Sequence, residues 1–203
     1  MDRPLRPRLR AALVASWLGV VVAGFSLVAV HSARAGEGAH APAQWPQGTA
    51  LAPDPDRPTL LVVLHPRCPC SRATLRELER LLARTGRAMR AVAVFVRPAG
   101  AKTGWEQGAL FDLARGIHGL DVVVDVGGDE ARRFGAVTSG QALLYAPVGA
   151  LRFQGGLTVA RGHEGPSPGA EAIAAMVGPA PGREAGPPAT RVFGCDLDER
   201  GDK

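Results

Sequence analysis

Apolar positions along this chain fall into runs of different period, and the runs predict the elements. Residues 11–30 carry no charge at all. Thr59–Leu64, reading Thr-Leu-Leu-Val-Val-Leu, is apolar or β-branched throughout, without alternation. Such a run suits a strand covered on both faces in a parallel sheet. Next, Leu75, Leu78, Leu81 and Leu82 recur at helical spacing among Arg72, Arg76, Glu77, Glu79 and Arg80, and Gly86 supplies a stop. This predicts an amphipathic helix over residues 69–85. A second apolar strand is expected over 91–96, ended by Pro98, then a helix over 105–116 with Ala109, Leu110, Leu113 and Ala114 on one face. A third strand over 120–126, a short helix over 129–134, and two short runs, 141–145 and 151–154, complete most of the domain. The last two are joined by Ala146-Pro147-Val148-Gly149, a turn that fits a β-hairpin, and residues 170–177 read as the closing helix. Strands alternating with helices, then a hairpin and a last helix, imply an α/β sandwich with a parallel centre and an antiparallel edge.

The uncharged run at 11–30 is long enough to span a bilayer core of about 30 Å. It follows Arg3, Arg6, Arg8 and Arg10, with Asp2 as the opposing charge. Because Ala33-Arg34-Ala35 also has the small-x-small form of a cleavage site, two readings stand: an uncleaved anchor, which the length favours, or a signal sequence cut near Ala35. In both, the basic segment 1–10 stays cytoplasmic and the remainder is exported. For a bacterial protein this means an inner-membrane, single-pass chain with its main domain in the periplasm or on the outer face, or a secreted domain.

Net charge is +5, which invites a nucleic-acid reading. Residues 1–35, however, hold five arginines against one aspartate, and the rest is nearly balanced, with 19 basic and 18 acidic residues. The basicity is therefore mostly a topology signal, and no platform of stacked aromatic and basic residues supports an RNA or DNA partner. The order of segments is then a basic segment 1–10, an anchor 11–30, an Ala/Pro/Gly-rich linker 31–58, a domain 59–178, and a flexible tail 179–203 that carries Cys195. Trp45 and Leu51 are candidates to dock on the domain edge, and Val192-Phe193 to pack back onto it.

The first core strand ends in His65-Pro66-Arg67-Cys68-Pro69-Cys70-Ser71. A thiol at the first turn of a helix faces unpaired N–H groups and the positive end of the helix dipole, which stabilise a thiolate and lower its pKa. Arg67 and Arg72 add positive charge, and Pro69 is tolerated in a first turn. The chain has three cysteines, so one disulfide leaves one thiol to explain. Two buried structural cysteines are the blander reading of the pair.

This order, with cysteines between the first core strand and its helix, resembles the thioredoxin-like superfamily over residues 45–178. The resemblance implies a three-layer sandwich with a mixed sheet, here preceded by a transmembrane helix. More narrowly, His65 to Ala73 together with Ala160-Arg161-Gly162-His163-Glu164-Gly165 looks like a branch of membrane-tethered bacterial proteins labelled RedB-like, which implies thiol–disulfide exchange with protein thiols or disulfides and no cofactor. Cys68 and Cys70 are then the catalytic candidates, Cys195 a candidate resolving thiol, and His65, Arg67, Ser71, Arg161 and His163 candidate supporting residues. The chain departs from thioredoxins in having one residue between its cysteines, so that Ser71 takes the second cysteine's usual place. It also has Val137-Thr138-Ser139-Gly140-Gln141 where thioredoxins carry a cis-proline.

Closing a disulfide between Cys68 and Cys70 makes a small ring, and a bond held away from relaxed geometry is more reducible. Cys195 is the alternative partner. A second function is copper(I) delivery, since Cys68, Cys70 and His163, or His65, form a soft-ligand set suited to that ion. Sco-type copper chaperones work in this way, with wider cysteine spacing. A third is a tethered interaction module with inert thiols. Glu164 and Asp112 have nothing in their spacing to distinguish them from surface carboxylates.

Overall fold

A computed structural model describes residues 7–38, 40–178 and 189–197. It divides into two units, one through Arg34 and one from Ala35 onward. The first is helix α1, Pro7–Ala33, none of whose residues is buried. By length and apolar composition α1 is able to cross a membrane, and a signal sequence has the same character.

The second unit is built on β1 (Thr59–Leu64), α2 (Ser71–Thr85), β2 (Arg90–Arg97), α3 (Ala109–Gly116), β3 (Leu120–Val126), α4 (Asp129–Arg133), β4 (Gln141–Tyr145), β5 (Leu151–Gly156) and α5 (Pro168–Val177). The five strands form one sheet in the order β3-β2-β1-β4-β5. β1, β2 and β3 are parallel, while β4 runs antiparallel to β1 and β5 antiparallel to β4. β1 is therefore the central strand, which explains its unbroken apolar run.

Its side chains alternate between two cores, as the two-residue period of a strand demands. Leu60, Val62 and Leu64 pack with Leu75, Leu78 and Leu81 of α2, Ala114 of α3 and Ile173 of α5. Leu61 and Val63 pack on the opposite face with Ala131 of α4, Phe134 and Tyr145. Each such fully buried side chain contributes about 1.5–3 kcal/mol by leaving water. The layers are thus helices, sheet, and a thinner second cover of α4 and extended chain.

Local chemistry fixes the ends. Gly86 closes α2 at φ +57°, a conformation that strains residues with a Cβ, and its N–H donates to the Leu82 carbonyl at 2.9 Å. Ser167 caps α5 by accepting from Ala170 N, with Pro168 in the first turn. Buried Asp125 accepts from the backbone N–H groups of Glu130 and Ala131, so the start of α4 is held by a side chain from β3.

Three features differ from the sequence reading. Helix α2 starts at Ser71 rather than 69, because Cys70 is its N-cap. Helix α3 starts at Ala109, leaving Trp105 in the turn before it. The segment read as linker is partly fastened: Trp45 packs edge-on against Phe134 and Tyr145, donates its indole N–H to the Leu51 carbonyl, and pairs through its backbone with Gly149. Of the tail, residues 179–188 and 198–203 lie outside the described residues, whereas 189–197 lie against the domain with Val192, Phe193 and Leu197 buried.

Candidate functional site

β1 ends at Leu64, and the chain then turns through Pro66 to deliver Cys68 and Cys70 ahead of α2. Cys68 N donates to the His65 carbonyl, and Ser71 N to the Cys68 carbonyl, so the cysteine is held inside two short turns rather than in the helix. Cys68 is 1% exposed and Cys70 half-buried. No disulfide joins the three cysteines.

The two candidate partners of Cys68 are placed differently. Cys195 Sγ stands 2.7 Å from Cys68 Sγ, and the Cys195 backbone N–H donates to the same sulfur at 3.4 Å. Cys70 lies beside Arg161, whose guanidinium bonds to its thiol. The two thiols consequently shift in opposite directions. Burial pushes Cys68 up, but hydrogen bonds from the Cys195 thiol and N–H, the Cys70 N–H and the Ser71 hydroxyl outweigh it, and its pKa falls below the ordinary thiol value. Burial, followed by the charge of a Cys68 thiolate, raises Cys70, with Arg161 only partly offsetting them. When one of the pair ionises, it is Cys68.

The supporting residues form a buried polar knot behind Cys68. Ser139 Oγ accepts from His65 N at 2.8 Å and pairs with Ser71 Oγ at 2.8 Å, and Ser71 Oγ also reaches the His65 carbonyl at 3.4 Å. The His65 imidazole is used locally: Nδ1 accepts from Arg67 N at 3.3 Å, and the ring meets Trp105 edge-on at 5.6 Å. Arg67 places its guanidinium 4.2 Å from the centre of the Trp105 ring. His163 lies in the loop with Arg161, where its N–H closes a turn onto Ala160 and Glu164 pairs with Arg80. Among the described residues no three or more His, Cys, Asp or Glu side chains are gathered as metal ligands would be.

Trp105 and Ser139 were not singled out as site residues by sequence. Ser139 stands in the stretch opposite the cysteines, where this chain has no proline and no cis peptide.

No family profile matches the chain, and no curated protein matches it either. Solved structures do. A hypothetical protein from Sinorhizobium meliloti superposes with a TM-score of 0.56 at 16% identity, covering 82% of this chain and 96% of that one. An uncharacterized conserved protein from Geobacillus kaustophilus gives 0.56 at 16% identity, covering 84% and 95%. A secreted Mycobacterium tuberculosis disulfide oxidoreductase gives 0.41 at 16% identity, covering 60% and 80%. The sheet order β3-β2-β1-β4-β5, parallel through β1, β2 and β3 and antiparallel at β4 and β5, makes the fold thioredoxin-like. At such identities the likeness speaks to the fold alone, with its three parallel strands, antiparallel hairpin and helices on both faces. Within that fold Cys68 and Cys70 occupy the loop between β1 and α2.

Proposed function

We propose that this protein is an exported, membrane-tethered thiol–disulfide oxidoreductase in which Cys68 is the nucleophile and Cys195 the resolving thiol. The observation that carries the reading is the 2.7 Å approach of the Cys195 and Cys68 sulfurs, at a Cys68 whose thiol is shifted down. Cys68 as thiolate attacks one sulfur of a client disulfide; that S–S bond breaks, the departing client sulfur leaves as a thiolate and takes a proton, and a Cys68–client disulfide forms. Cys195 then loses its proton and attacks Cys68 Sγ. The second client thiol leaves, and the two electrons that reduced the client have come from Cys68 and Cys195, now joined as a disulfide.

Cys70 has a different place in this scheme. Its raised pKa keeps it protonated while Cys68 reacts, and Arg161 beside it favours a thiolate only after the Cys68 charge has gone into a disulfide. It is held in reserve and takes no part in resolving the mixed disulfide. The helix α1 supports the tethered part of the proposal, with the basic residues before it on the cytoplasmic side.

The test is reduction of insulin by the reduced full chain in detergent, together with a mass-spectrometric disulfide map of the product. A Cys68–Cys195 link and loss of turnover in Cys68→Ser are expected. Turnover that survives Cys68→Ser, or a map with only Cys68–Cys70, would overturn this assignment.

A further inference from the structure

Residues 189–197 occupy a seat that the domain has shaped for them. Thr190 N donates to the Gln154 carbonyl at 3.2 Å, and the Thr190 hydroxyl bonds both the N–H and the carbonyl of Gly156 at 3.1 Å. The floor there is side-chain-free: a Cβ at Gly155 would stand 2.2 Å from Thr190 Oγ1, and one at Gly156 2.6 Å from the Arg191 carbonyl. Gly36 N donates to the Val192 carbonyl at 2.9 Å, and Val192 and Phe193 are 3% and 7% exposed. Beyond them the segment pairs antiparallel with the loop before β4. Ser139 N donates to the Cys195 carbonyl at 2.8 Å, Leu197 N to the Val137 carbonyl at 2.9 Å, and Thr138 bridges Asp196. This is strand addition, in which backbone bonds hold an extended segment and alternate side chains are read by pockets.

The tightest point is Gly194. A Cβ there would lie 1.8 Å from the Ser139 carbonyl oxygen, a contact that real Cβ atoms do not make. The residue ahead of Cys195 is therefore restricted by the same loop that holds the cysteine's backbone over Cys68.

Resting on the thiol–disulfide reading above, we propose that residues 190–197 are a built-in stand-in for the client, and that the client is an extended segment with glycine immediately before its reactive cysteine. Cys68 is 1% exposed and covered by Cys195. An incoming sulfur reaches Cys68 by taking the place of Cys195, with its own backbone on the Ser139 N–H and its preceding residue against the Ser139 carbonyl. Two apolar residues ahead of that glycine fill the sites of Val192 and Phe193. The Ser139 backbone is thus the specificity-determining element, and the C-terminal segment is displaced at each encounter.

The probe is the octapeptide Thr-Arg-Val-Phe-Gly-Cys-Asp-Leu, its cysteine capped as a mixed disulfide with thionitrobenzoate, and the same peptide with valine in place of glycine. Attack by the Cys68 thiolate forms a Cys68–peptide disulfide and releases thionitrobenzoate with the electron pair of the broken bond. With the reduced full chain, and rates divided by those for glutathione on each peptide, the glycine peptide is expected to react about tenfold faster, a usual size for steric discrimination in a pocket. In the Cys195→Ser chain, which lacks the resolving thiol, the adduct is expected on Cys68 by peptide mapping. Equal normalised rates with the adduct on Cys68 would overturn the docking proposal and leave the thiol reading standing. An adduct confined to Cys70 in that chain would overturn both.

Discussion

The thiols of Cys68 and Cys195 meet at 2.7 Å although 127 positions separate them along the chain. Joining them closes a loop that takes in β2, β3, β4 and β5, four of the five strands of the sheet. In the chain-entropy account, a loop of more than 100 residues stabilises the fold by about 4–5 kcal/mol through the unfolded state. The oxidised chain is therefore expected to unfold at higher guanidinium concentration than the reduced one. Cys195→Ser should abolish the difference and Cys70→Ser should keep it. Oxidation that leaves the midpoint unmoved in the parent chain would count against this pairing.

The opposite shifts of Cys68 and Cys70 predict a divided pH profile. For Cys68, depressed in the fold, the stabilising contribution is present above the free-thiol pKa of about 8.5 and is lost as pH falls through the folded value. For Cys70, raised in the fold, the contribution is present below the free-thiol value and lost as pH rises through the folded one. The two oppose each other in overall stability, so the informative measurement is iodoacetamide labelling counted at each cysteine. Labelling of Cys68 should set in at lower pH than that of a free thiol, and labelling of Cys70 at higher pH. Ser71→Ala should move the Cys68 onset upward by removing a hydroxyl donor, and Arg161→Ala should raise Cys70 further. A common onset for both cysteines would refute the assignment.

Much of this arrangement is legible in the sequence, and the limits have physical causes. Thr59–Leu64 reads as a central strand because burial on both faces leaves no alternating polar position after Thr59. Helix α2 is legible from its leucines, but its start is not: Cys70 caps it without a side-chain hydrogen bond, so no capping residue marks the boundary. Cys68 is legible as a strand-end thiol. Its approach to Cys195 is not, because it depends on where a glycine floor at Gly155 and Gly156 lets the C-terminal segment lie. Trp105 beneath Arg67 is likewise a long-range contact, from a turn that the sequence reading places in the helix over 105–116. Ser139 carries no pattern of its own until His65 and Ser71 are brought to it.

Ser139→Ala tests that polar knot. Its hydroxyl serves both His65 N and the Ser71 hydroxyl in a site where Ser139 and Ser71 are each 1% exposed, and its loss takes the acceptor from the buried His65 N–H. Such a loss costs about 1–3 kcal/mol. Urea unfolding of the reduced chain should show it as a lower midpoint with unchanged slope, and Ser139→Thr, which keeps the hydroxyl, should recover part of the loss. An alanine variant as stable as the parent would mean that water replaces the hydroxyl.

Gly194→Val addresses how the C-terminal segment is held. The added side chain would drive into the Ser139 carbonyl, which is fixed from the other side because Gly140 N donates to the Val63 carbonyl at 2.8 Å. The segment must therefore move, and the burial of Val192 and Phe193, about 1.5–3 kcal/mol for each fully buried side chain, weakens with it. The ladder from β3 to β5 does not include residue 194, so far-UV circular dichroism should stay unchanged while two local readouts shift. Cys68 in the reduced chain should alkylate faster, having lost the cover of Cys195, and the yield of the Cys68–Cys195 disulfide on air oxidation should fall. Parent-like labelling and parent-like disulfide yield together would show that the segment tolerates a side chain at 194, and that the Ser139 carbonyl does not select glycine.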